Sequence, residues 1–61
     1  MSPILVSIMA EVFACNARII AMQAENAQRA AEGSSPAYRE KDFIPEIDLL
    51  TTLSMEARNV E

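Results

Sequence analysis

Between Pro3 and Gly33 the chain has neither glycine nor proline, and alanine recurs at positions 10, 14, 17, 21, 24, 27, 30 and 31. Alanine, with the Glu, Gln, Met and Arg between, favours the helix, and no breaker interrupts it. Ser2 is a good N-cap, and Pro3 sits at the first helical position, where its missing N–H is not needed. Gly33 is the natural terminator, because only glycine takes the left-handed conformation without steric cost. The sequence therefore predicts one helix over residues 3–32, about 45 Å long at 1.5 Å per residue. Half of a 61-residue chain is committed to one rod.

Hydrophobic spacing gives the rod a direction. Leu5, Ile8, Val12, Cys15, Ile19 and Met22 keep a/d heptad spacing, after which the pattern reaches Asn26 and Arg29. Ser7, Glu11, Arg18, Glu25, Arg29 and Glu32 form a polar stripe. A second apolar line, Val6, Met9, Phe13 and Ile20, flanks the seam, so the N-terminal half needs cover from more than one side. Asn26 has two readings: a register-setting polar group within the seam, or a solvated residue where the seam has ended. Arg29 at the next seam position favours the second.

Gly33-Ser34-Ser35-Pro36 is turn chemistry, and Ser35-Pro36 offers a cap for a short turn over residues 37–41. Asp42 is expected to cap a second helix over residues 43–59, with Pro45 tolerated in its first turn. On that helix Phe43, Ile47, Leu50, Leu53, Ala57 and Val60 form one stripe. A short connector, residues 33–42, returns the second helix antiparallel, so residues 1–61 read as a single all-α helical-hairpin domain. A second helix of about 25 Å stops short of the first helix's beginning and leaves residues 4–12 overhanging. Such a surplus apolar patch marks an interface. The expected assembly is a homodimeric helical bundle in which Leu5, Ile8, Met9, Val12, Phe13, Cys15 and Ile19 serve self-association.

Small size makes the same demand. Ordering a chain of this length costs about as much as a core of this size returns, so small domains lean on disulfides, metals or other chains. With one cysteine and no histidine, the chain closes no internal disulfide and has no nitrogen and sulfur ligand set for zinc. Association remains. The net charge of -4 and the scattered Arg18, Arg29, Arg39, Lys41 and Arg58 disfavour a phosphate-tracking surface. The apolar opening lacks a preceding Lys or Arg, and Glu11 interrupts it, so an export signal is not expected and a cytoplasmic protein is. No apolar run is judged to approach the roughly 20 residues of a membrane span.

Chemistry is sparse. General acid-base catalysis lacks a histidine, and no phosphate loop or cofactor motif is present, so no enzyme activity, cofactor or metal is expected. Cys15, the one candidate nucleophile, lies on the apolar seam, where a thiol behaves as a small hydrophobe. The bend from Tyr38 to Asp42 has two readings of equal weight. Tyr38 and Arg39 are favoured anchors for a partner, or Tyr38 merely lids the hairpin.

The segment Asn16-Ala17-Arg18-Ile19-Ile20-Ala21-Met22-Gln23-Ala24-Glu25-Asn26, with Tyr38-Arg39-Glu40-Lys41-Asp42-Phe43, resembles the small early proteins of lambdoid phages encoded between the recombination and excision genes. The resemblance implies an accessory protein of the host cytoplasm that biases the choice between lysis and lysogeny by contacting host or phage proteins. It carries over no site residues. The expected function is thus a regulatory or adaptor protein that self-associates and binds another protein. The alternative is an acidic helical-hairpin dimer that binds RNA or DNA, with binding that weakens steeply as salt rises.

Overall fold

The computed structural model describes residues 2–60 of the chain, which form a two-helix hairpin. Helix α1 runs Pro3–Ala31 and helix α2 runs Glu40–Val60. Ser2 caps α1 as expected, its Oγ accepting from the Leu5 N–H at 3.1 Å. At the other end Gly33 has φ of 78°, the Ser34 N–H donates to the Arg29 carbonyl and the Gly33 N–H to the Ala30 carbonyl. That pair of bonds is the Schellman stop, and it makes Glu32 the cap rather than the last helical residue.

The second helix departs further from expectation. It begins at Glu40 rather than Phe43, and no separate turn forms over residues 37–41. Asp42 caps it from inside: its Oδ2 accepts from the Arg39 N–H at 2.9 Å while its own N–H donates to the Arg39 carbonyl at 2.8 Å. This is half of a capping box: the Asp42 carboxylate, three residues into the helix, satisfies the Arg39 N–H, while the Asp42 N–H bonds the Arg39 backbone carbonyl in a tightened first turn. Pro45 consequently lies past the first turn. It deprives the Lys41 carbonyl of its helical donor, and both residues are exposed, so water can satisfy that carbonyl.

Packing along α1 follows the heptad reading. Leu5, Ile8, Val12, Cys15, Ile19, Met22, Asn26 and Arg29 are its buried or half-buried positions after the cap, and all its other positions are exposed. On α2 the inward residues are Asp42, Phe43, Glu46, Leu49, Leu50, Leu53, Ala57 and Val60. Ile47, placed on the apolar stripe by sequence, is instead 54% exposed, and Glu46 takes the inward position. The reason is angular: the buried set from residue 43 onward keeps strict three-four spacing only through position 46, and residue 47 lies about 100° further round.

The predicted overhang is absent. With 21 residues α2 is about 31 Å long, and its Val60 lines a groove together with Ile4. The hairpin is nevertheless thin. Its Cα extents are 48 × 18 × 9 Å, one helix deep, and its radius of gyration of 14.7 Å exceeds the roughly 10.5 Å of a compact chain of this length. Among the described residues only Ile8, Cys15 and Leu53 are buried, and Cys15 alone is completely so.

α1 also corrects the expectation that no apolar run approaches the length of a membrane span. By length and composition it is able to cross a bilayer, with an 18-residue window of mean hydropathy 1.8. Core helices of soluble proteins and signal sequences pass the same test. Glu11 and Arg18 lie within this helix, and charges are costly in hydrocarbon.

Candidate interaction surfaces

The seam carries one polar cluster. Cys15 and Arg18 lie one turn apart on α1 and both reach Glu46. The Cys15 thiol donates to the Glu46 carbonyl oxygen at 3.2 Å and lies 3.5 Å from Oε2 of the same residue. Arg18 Nε donates to both carboxylate oxygens, the longer bond being 3.1 Å. Burial and the neighbouring carboxylate hold the thiol above its ordinary pKa. The bond to Arg18 holds the Glu46 carboxyl below its ordinary range, and the arginine is raised in turn. A thiol kept protonated beside a carboxylate is a poor nucleophile. The arrangement ties the two helices together, with unlike charges facing where the seam would otherwise be apolar.

A second tie lies at the bend. Asn26 Nδ2 donates to the Tyr38 carbonyl at 2.8 Å, and the Tyr38 N–H donates to Asn26 Oδ1 at 3.0 Å. Asn26, expected to be solvated beyond the end of the seam, is instead half-buried and clamps the returning connector. Arg29 Nε similarly donates to the Ser35 carbonyl at 2.9 Å. The backbone of Tyr38 is thereby fixed, its side chain is 38% exposed, and Arg39 is exposed beside it. Tyr38 lines a groove of about 460 Å³ with Arg18, Ala21, Met22 and Glu25.

That groove lies on the same side of the hairpin as the larger one, of about 510 Å³, between Ile4, Ser7, Ile8 and Glu11 of α1 and Leu53, Glu56, Asn59 and Val60 of α2. At 100° per residue, Glu11, Arg18 and Glu25 fall to one flank of the α1 seam and Met9, Phe13 and Ile20 to the other. On α2, Glu56 and Asn59 share the first flank, while Ile47 and Ser54 fall on the second. One broad face is therefore grooved, its grooves floored by apolar residues such as Ile8, Leu53 and Met22 and edged by Glu11, Arg18, Glu25 and Glu56. The opposite face carries Met9, Phe13, Ile20 and Ile47, exposed by 43, 67, 56 and 54%.

The residues assigned by sequence to self-association divide between these surfaces. Leu5, Ile8, Val12, Cys15 and Ile19 are turned toward α2 within one chain, whereas Met9 and Phe13 remain open on the apolar face. Among the described residues no group of three or more His, Cys, Asp or Glu is placed to hold a metal ion. Sequence reasoning missed Glu46 and the Asn26 clamp. The signal for Glu46 was present in the 43, 46, 50, 53, 57, 60 spacing, a more regular alternation than the purely apolar path through Ile47. No protein-family model, curated protein or solved structure matches the chain.

Proposed function

We propose that this chain is a small, non-enzymatic regulatory or adaptor protein that self-associates and binds another protein through its bend. The observation that carries this reading is the disproportion of surfaces: among the described residues three apolar side chains are buried, Cys15 alone of them completely, while nine large apolar ones stand exposed. Apolar surface on that scale marks an interaction site. Nucleic-acid binding is disfavoured because Arg18 is neutralised by Glu46 and Arg29 is engaged at the Ser35 carbonyl. Cytoplasmic action, and the role in early phage infection that the resemblance implies, belong to the same proposal.

At the bend, Tyr38 and Arg39 are the anchors. An aromatic on a clamped backbone loses little entropy on binding, and such residues contribute disproportionately at interfaces. A Tyr38→Ala, Arg39→Ala double variant is expected to keep its helix content and oligomeric mass while losing most capture of the native partner. The measurement is a pull-down from the native host at matched folded concentration, with bound proteins identified. Undiminished capture would move the site onto the helices, and recovery of RNA alone, released by salt, would overturn the protein-binding reading.

A further inference from the structure

The self-association proposed above leaves open which surface it uses, and we infer that a second copy of this chain covers the face bearing Met9, Phe13, Ile20 and Ile47. This rests on that reading and deepens it. Three quantities converge on the same occupant. The accessible surface of 4568 Å² exceeds the roughly 3,900 Å² of a compact protein of this mass by about 650 Å². An interface of standard size removes about 800 Å² from each partner. The broad face, 48 × 18 Å between Cα extremes, has a footprint of roughly 860 Å², so one hairpin laid on another supplies an interface of the required area.

Charge selects the face. Each chain carries -4, so two copies meet at lowest cost where charge is absent. On the grooved face Glu11, Arg18, Glu25 and Glu56, three acids to one base, would be carried into the contact. Along the middle of the apolar face the interspersed polar residues are Asn16, Gln23, Thr51 and Ser54, all uncharged, and its charges, Glu40 at the bend and Arg58 at the open end, are one of each sign. Stacking there converts a slab one helix deep into a four-helix core, with Phe13 passing from the most exposed large apolar side chain among the described residues to a buried one. A lipid surface would cover the same residues. It is disfavoured because the apolar face offers only Arg58, at its edge, for anionic headgroups.

The methionines provide a test on the unaltered protein. Met9 lies on the inferred interface and Met55 on the outer side of α2, and the isolated hairpin exposes them comparably, 43 and 51%. Dilute peroxide followed by mass spectrometry, with sedimentation in parallel, should show Met9 oxidised at least about five-fold more slowly than Met55 where the dimer dominates. The two rates should converge on dilution. A dimer whose Met9 and Met55 oxidise alike would overturn this face while leaving self-association standing. A monomer at high micromolar concentration would overturn both. Protection of Met9 that appears only with phosphatidylcholine–phosphatidylglycerol vesicles would make lipid the occupant and overturn the inference.

Discussion

The two broad faces of the hairpin share one seam but differ in what they do for the chain. On the polar side the Arg18–Glu46 pair and the groove beside Tyr38 attend the fixing of α2 against α1. The apolar side has no such tie among the described hydrogen bonds, only Met9, Phe13, Ile20 and Ile47 open to whatever meets them. Folding of a single chain thus draws on the seam and its polar edge, and the apolar face stays open, the surface that the proposed self-association would cover. A heptad pattern with a second apolar line beside it gives one helix both a packed seam and an open apolar flank.

The sharpest way to break this comparison is to damage the shared seam. Ile8 is 8% exposed, and Ile8→Asp puts an unpaired carboxylate there at a cost of several kcal/mol, comparable with the whole stability of so small a domain. Far-ultraviolet circular dichroism should show loss of helix. A folded, helical Ile8→Asp chain would mean that the seam is not the common foundation of the two faces.

Acid titration probes the polar edge with a smaller effect. Because the folded Glu46 carboxyl sits below its ordinary range, its contribution is fully present above that range and is lost as pH falls through the lowered value. Thermal melts from pH 6 downward should show an acid loss of stability that Glu46→Gln largely removes, the variant being less stable at pH 6 and drawing level in acid. A parallel acid profile in wild type and variant would detach the pair from stability. Smaller still, Asn26→Ala removes the clamp on Tyr38 and should cost about 1–2 kcal/mol in chemical denaturation. Glu25→Ala on the same face should stay within about 0.5 kcal/mol. Equal costs for these two would erase the distinction between tied and merely solvated residues on the polar side.

Much of this fold is legible in the sequence because its signals are local and periodic. Ser2, Pro3 and Gly33 bracket α1 through backbone chemistry that needs no tertiary partner, and the seam from Leu5 to Met22 reads directly as the inward stripe. What escaped was non-local or reciprocal. Asp42 looks like an N-cap until Arg39 is known to be its partner, and the start of α2 shifts by a turn accordingly. Glu46 looks like solvent-facing charge until Arg18 is seen opposite, and misplacing it puts Ile47 inside. The overhang followed from the shortened second helix and disappeared with it.

The two polar ties also act as a ruler. Arg18 and Asn26 are eight residues apart (26 − 18), and their partners Glu46 and Tyr38 are likewise eight apart (46 − 38). An inserted or deleted residue between the ties on either arm would let one rung close only by opening the other, since a single residue also turns a helix by about 100°. An equal insertion ahead of Cys15 leaves both rungs matched. Natural length variation in this hairpin should therefore collect at its open end, and a designer who wishes to lengthen it should add residues there in pairs, one turn to each arm.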